Sequence, residues 1–177
     1  MIIAKNVGLV KTQYTEQEDM ERNDVPKLGP PPPASSAAAS ATMKANRVRD
    51  TGPELQMRAA LRATGLGGYR LAWKAAPGRP DISYPGKHVA VFVHGCYWHR
   101  CPICDKPLPK NNADFWQRKF IRNQERDTRK TRDLEDAGWR VVQIWECEIK
   151  KDIAACVEAV QTALEAADRK SQPNVSP

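Results

Sequence analysis

Four cysteines and a short histidine-bearing segment carry most of the chemistry legible in this chain. Cys96, Cys101 and Cys104 fall within nine residues of a polar loop that also holds Pro102 and Pro109, and Cys147 follows far downstream. A C-x4-C-x2-C element with one distant cysteine suits Zn2+, which takes four soft ligands in a tetrahedral structural site. Four thiolates leave no open position, so this metal would be structural. The alternative is four separate buried thiols. Disulfides are not expected in a chain with no secretory signal. The fifth cysteine, Cys156, lies on the apolar face of the last expected helix and reads as core.

The chain has three histidines, and two of them, His94 and His99, bracket the segment H-G-C-Y-W-H. Asp81 follows the turn Pro77-Gly78-Arg79-Pro80 and opens a strand, while His94 closes an apolar one. Carboxylate and imidazole at adjacent strand ends suit a hard cation and a water to be activated. Taken singly, such a histidine is more often a satisfied half-buried side chain, but two within H-G-C-Y-W-H shift the balance toward a site. A further carboxylate, Asp127, lies between Phe120 and Leu134 at seven-residue intervals. That spacing drifts by only about 20° on a helix, so Asp127 sits on the face that should be buried. A buried carboxylate needs a cation or an N–H. Asp127 is expected to orient and charge His99; the alternative is an ion pair with one of the many arginines. Asn123 lies one turn earlier on the same side.

The elements that must hold these groups follow from capping and periodicity. Thr51 and Glu54 form a T-x-x-E capping box with Pro53 in the first turn, and Leu55, Ala59 and Leu61 form an apolar stripe up to about Thr64. Gly65, Gly67 and Gly68 end this helix. Short strands are expected at Tyr69–Trp73 and from Asp81 through Ser83. Val89–Val93 is an apolar, β-branched run and reads as a buried central strand. A long helix is expected over Ala113–Ala137, closed by Gly138, with a strand at Trp139–Trp145. The last helix, about Lys151–Ala167, places Ile153, Val157, Val160 and Leu164 at helical spacing. This order describes an α/β sandwich around a small mixed sheet.

The net charge is +7, and residues 1–42 hold four basic against five acidic residues, so the rest carries +8. Ten Lys/Arg against four Asp/Glu fall between Arg100 and Arg132. That density suits a polyanion, or else a solvated basic helix. Tyr97, Trp98 and Trp116 lie beside it, where large rings could wedge between base pairs or fill core; Trp139 and Trp145 read as core. Residues 1–42 end in four prolines and a Ser/Ala run and are expected to form a disordered extension, followed by a folded domain over 43–170 and a flexible tail, 171–177. No transmembrane span or signal peptide is recognisable, so a cytoplasmic protein is expected.

The segments Asp50-Thr51-Gly52-Pro53-Glu54-Leu55, Pro77 to Asp81, and Phe92-Val93-His94-Gly95-Cys96-Tyr97-Trp98-His99 together resemble the very short patch repair (Vsr) endonucleases. Phe115-Trp116, Asn123-x-Glu125-Arg126-Asp127, Gly138 to Val141 and Trp145-Glu146-Cys147 continue the resemblance in the same order, over about Met43 to Lys150. The resemblance implies a restriction-endonuclease-like mixed sheet flanked by helices, with a structural zinc. It implies Mg2+-dependent nicking 5′ of the thymine in T·G mismatches left by deamination of 5-methylcytosine, hence double-stranded DNA as substrate and a functional link to a cytosine-5 methyltransferase. Asp81 would ligate Mg2+ with the Val93 backbone carbonyl, His99 would deprotonate water with Asp127 behind it, and His94 would polarise the phosphate. Glu54 matches a glutamate near the active site, although its capping role explains it equally. Tyr97, Trp98 and Trp116 match intercalating aromatics, Asn123 matches a DNA-contacting position, and Met43 falls where an N-terminal arm enters the minor groove. The chain departs from the family in offering Cys101 where a histidine is the usual second zinc ligand. A monomer is expected. Two other readings remain: a restriction or anti-phage endonuclease on this scaffold, and a zinc-stabilised DNA-binding module without catalysis.

Overall fold

The computed structural model describes residues 28–33, 36–37, 40–41 and 49–171. Met43, most of the expected extension and residues 172–177 of the expected tail lie outside them. Eight elements follow from Gly52 onward: α1 (Gly52–Ala63), β1 (Arg70–Leu71), β2 (Ile82–Tyr84), β3 (Val89–His94), α2 (Ala113–Asp136), β4 (Arg140–Trp145), α3 (Glu146–Lys151) and α4 (Ile153–Ser171), with a 3-10 turn at Pro85–Lys87 between β2 and β3. The four strands form one mixed sheet in the order β1-β2-β3-β4, antiparallel except for the β3–β4 pair. The β3–β4 crossover runs through α2, as a parallel pair requires.

The pleat of β3 decides which side chain goes where. Val89, Val91 and Val93 point into the larger core with Met57, Leu61, Ile82, Ile144, Val157 and Val160, under α1, α3 and α4. Ala90 and Phe92 point the other way, into a smaller core with Ala76, Leu134 and Trp139 under α2. His94 continues that second set. A period of two therefore delivers an imidazole to the α2 side of the sheet at the end of a strand in which every residue is buried.

The first helix forms as its capping signal predicts. Thr51 Oγ1 accepts from the Glu54 N–H at 3.5 Å, and the Glu54 carboxylate takes the Asp50 N–H at 3.1 Å. Its buried face differs from the expected stripe. Leu55 is 48% exposed and Ala59 is exposed, while Glu54, Met57, Arg58 and Leu61 are buried. A shift of one residue turns a helix by 100°, and here the polar pair Glu54–Arg58 takes the inward position by satisfying itself. The expected strand at Tyr69–Trp73 shrinks to two edge residues, since Ala72 adopts a left-handed φ of 41°. Gly138, at φ 79°, ends α2 as expected. The short helix α3 was absent from the sequence reading, and α4 begins at Ile153 rather than Lys151. Cys156 is buried, as expected for core. Trp139 is also buried, whereas Trp145 is half-buried and packs on His94 with ring centroids 5.2 Å apart.

Candidate active site and zinc knuckle

A cleft of about 690 Å3 opens between the start of α1, the ends of β2 and β3, and α2. Its lining includes Glu54, Asp81, Val93, His94, Trp98, His99, Asn123 and Asp127, eight of the residues singled out from the sequence or from the resemblance. Their positions follow from the fold. Asp81 immediately precedes β2, and its Oδ2 accepts the Val93 N–H at 2.8 Å. This carboxylate takes the place of the next rung of the β2–β3 ladder, which stops at Ile82–Val91. The N–H and C=O of one strand residue face the same neighbour, so the Val93 carbonyl is turned toward the edge that carries Asp81.

His94 is buried and packs between Phe92, stacked at 5.8 Å, and His99, 4.4 Å away by ring centroids. Burial, and next the neighbouring His99, push its pKa down to about 4, so it is neutral at physiological pH. Beyond β3 the chain turns at Gly95 and returns His99 toward α2. There His99 Nδ1 hydrogen-bonds Asp127 Oδ2. The Asp127 side chain is 15% exposed. Burial works to raise its pKa, but the hydrogen bond and charge of His99 prevail and hold it below the ordinary carboxylate value. Arg126 approaches the other oxygen at 3.8 Å, so the arginine alternative is present as the weaker contact. Asn123, one turn before Asp127, donates from Nδ2 to the Trp98 carbonyl at 3.0 Å and fixes the loop that carries His99.

Asp81 is the electrostatic opposite of Asp127. Burial first, with Glu54 adding to it, raises its pKa to about 6 against the lowering effect of the Val93 N–H. A carboxylate so placed fits a bound cation, and its hard oxygen donors match Mg2+-type chemistry. The His94, His99 and Asp127 donor atoms also lie within 4.8 Å of one another and could hold a metal. The hydrogen bond between His99 and Asp127 commits those two groups to each other instead. Glu54 reaches the cleft wall, but its carboxylate is engaged by Thr51 Oγ1 at 3.0 Å and Arg58 Nη2 at 2.7 Å.

The cysteines converge beside this cleft. The sulfurs of Cys96, Cys101, Cys104 and Cys147 lie within 4.8 Å of one another, and Cys101 and Cys147 are 3.7 Å apart. Tetrahedral zinc with bonds of about 2.3 Å separates its sulfurs by about 3.8 Å, whereas a disulfide needs about 2.05 Å. The donor set thus fits zinc. The Cys147 N–H donates to Cys96 Sγ at 3.3 Å. Burial lifts the Cys96 thiol to about 11 and Cys147 further still, so thiolates here require a cation to offset their desolvation. At Cys101 the same burial is outweighed by the amides of Cys104 and Ile103, and its pKa falls. Cys147 is held by α3, the helix missed in the sequence, and the adjacent Glu146 accepts the Cys96 N–H at 3.3 Å.

Trp98, which lines the cleft, belongs to an aromatic cluster with Tyr97, Trp116 and the buried Phe120, and its ring lies 6.0 Å from that of Trp116. Lys119 Nζ lies 5.3 Å from the Trp98 ring and 5.0 Å from the Trp116 ring. Arg126, Lys130 and Glu146 of the cleft wall, and Lys119 over the aromatic rings, were not singled out in the sequence. Helical spacing from Asp127 and Trp116, and adjacency to Cys147, were the signals available.

Comparison with known proteins gives this arrangement its context. Residues 34–104 match the family model for the DNA mismatch endonuclease Vsr. The chain is 37% identical over 123 residues to the type II nicking enzyme V.XorIIP of Xanthomonas oryzae pv. oryzae, covering 70% of this chain and 89% of that protein. It is 34% identical over 126 residues to the DNA mismatch endonuclease Vsr of Escherichia coli, covering 71% and 80%. The chain belongs to the Vsr family. This Vsr-family protein is accordingly a DNA endonuclease, a hydrolase. A similar likeness, 40% over 123 residues, links it to the type II nicking enzyme V.NaeI of Lentzea aerocolonigenes, covering 67% of this chain and 73% of that protein. Among the described residues no helix is long and apolar enough to cross a membrane.

Proposed function

We propose that this endonuclease nicks one strand of duplex DNA on the 5′ side of the thymine in a T·G pair, the lesion left when 5-methylcytosine deaminates. The observation that carries the chemistry is the His99–Asp127 hydrogen bond facing a half-buried Asp81 across one cleft. Asp127 holds the proton on Nδ1 and leaves Nε2 of His99 free to take one from water. The water oxygen bonds to phosphorus as the bond to the 3′ oxygen breaks, leaving a 5′-phosphate and a 3′-hydroxyl. His94, neutral and buried, offers an N–H to a phosphate oxygen. The Asp81 carboxylate and the Val93 carbonyl would hold Mg2+, which when bound supplies positive charge to the phosphate and leaving oxygen. Cys96, Cys101, Cys104 and Cys147 would hold a structural Zn2+ that fixes the loop carrying Trp98 and His99. Trp98, Trp116 and Tyr97 supply aromatic surface for insertion beside the mismatch, with Met43 on the N-terminal arm and Asn123 bracing the loop.

The proposed site draws on residues of a single chain, and in this reading the enzyme works as a monomer in the cytoplasm on the products of a cytosine-5 methyltransferase. The two curated names above that read "nicking enzyme" support cleavage of a single strand over the double-strand restriction reading. Duplexes carrying one T·G pair in several methylation contexts, beside matched T·A controls, test the assignment. The expected product is one nick, formed only with a divalent cation. Equal cleavage of mismatched and matched duplexes sinks the repair reading, and cleavage of both strands of matched or methylated DNA favours a restriction or anti-phage role. Binding without any product would leave only a DNA-binding module.

A further inference from the structure

Asn123, Asp127 and Lys130 are spaced by four and three residues and so form one stripe on α2, which runs along the cleft. The first two contact the His99 loop. Lys130 has no such partner: among the described residues it enters no ion pair. Its side chain is nevertheless held. The turn Pro77–Pro80 packs so closely on it that a Cβ added to Gly78, at φ 67°, would lie 2.9 Å from both Cβ and Cγ of Lys130. At the far end Nζ lies 5.8 Å from the centre of the Phe92 ring, the residue beside His94 on the same face of the sheet. The stem is thus clamped between a glycine turn and the helix, and the ammonium is presented at the cleft that contains Asp81 and His94. Its charge reaches both of those groups.

A half-buried lysine with a fixed stem, in no ion pair among the described residues although its charge reaches Asp81, can receive an anion, and the anion that enters this cleft in a DNA endonuclease is a backbone phosphate. We propose that Lys130 binds a DNA phosphate in the catalytic cleft and positions the strand to be cut. The inference rests on the proposed cleft being where DNA enters. Arg126, 46% exposed and near Asp127, is outside this role because it already has a carboxylate neighbour. Gly78 serves the same function from the other side, since any side chain there would displace the lysine.

The test is a binding scan on the full chain. A T·G duplex is prepared with a single uncharged methylphosphonate at each position around the thymine, and affinity is measured for wild type, Lys130→Met and Lys130→Arg. Methionine keeps the stem against Gly78 and Phe92 while removing the charge, and thermal melting verifies folding. The wild type should lose about tenfold in affinity at one position near the thymine, and Lys130→Met should lose nothing further there. The salt dependence of binding should fall by about one counterion in Lys130→Met and be retained in Lys130→Arg. If Lys130→Met shows the wild-type penalty at every position, Lys130 touches no phosphate and the inference is overturned. The scan reads binding and not cleavage. A protein that fails to nick T·G duplexes but shows the coupling loses the proposed reaction and keeps this contact.

Discussion

At the scale of single residues, two carboxylates 46 positions apart in the chain are tuned in opposite directions. Asp127 is kept ionised by His99, and its purpose is lost if the carboxylate is replaced. Asp127→Asn can present an NH2 group to Nδ1 and so favour the wrong tautomer of His99. Single-turnover nicking should fall by about 10²–10⁴-fold while mismatch affinity changes little; an equal loss of affinity would assign Asp127 to binding instead. Asp81 carries the reverse signature. Its pKa is raised from 3.8 to about 6, so folding favours the neutral acid and the ionised form costs stability. The cost is complete above about pH 6 and absent below about pH 4. Asp81→Asn, which keeps an oxygen for the Val93 N–H, should therefore stabilise the metal-free protein at pH 8 by on the order of 1–3 kcal/mol, with the gain vanishing toward pH 4. Melting temperatures across that range check the sign. The same variant should not nick, because the residue that destabilises the free protein is the one that would hold the cation.

At the scale of elements, the four-cysteine cluster joins the His99 loop to α3, and its proposed role as a zinc site allows a sharp expectation. Cys101→Ser should lower bound zinc well below one per chain, whereas Cys101→His should retain it, since imidazole is an equally good ligand. Cys156→Ser should leave zinc content unchanged, because Cys156 is buried in α4 away from the four sulfurs. Metal analysis of the three variants separates a four-cysteine site from a chance cluster of thiols. Much of this framework was legible in the sequence because its signals are local. The pleat of Val89–Val93, the seven-residue spacing of Phe120, Asp127 and Leu134, and Gly138 after α2 each state a geometry directly. What was illegible depended on tertiary competition. Leu55 lost the inward face of α1 to Glu54 and Arg58, which pair with each other at 2.7 Å. The strand before Ala72 failed at one left-handed residue, and α3 is a six-residue helix that follows β4 directly, too short to show a periodicity. Lys130 was hidden for a similar reason. One lysine among ten basic residues carries no signal until Gly78 is seen against its stem.

At the scale of the whole molecule, positive charge and aromatic surface meet on one side but should contribute separable quantities to recognition. On the proposed reading the basic residues of α2 would meet phosphates whatever the sequence, so their effect would be counted by the dependence of affinity on salt. Trp98 and Trp116, in the proposed role, would report on base stacking alone, and they lie half-buried with Lys119 against both rings. Inserting them costs unstacking of the duplex, and that cost is lowest at a mismatch, where pairing is already weak. Trp116→Ala should therefore weaken binding to a T·G duplex by about 5- to 150-fold, as expected for one lost aromatic–base stack. Binding to a matched duplex should change far less, and the slope of log affinity against log salt should match wild type on both. Substituting Lys119 with methionine should instead reduce that slope by about one on mismatched and matched DNA alike. If Trp116→Ala weakened both duplexes equally, the aromatic cluster would be core that supports α2 rather than the element that distinguishes a mismatch. Discrimination would then have to arise in the catalytic step, where a nicking rate measured at saturating enzyme would reveal it.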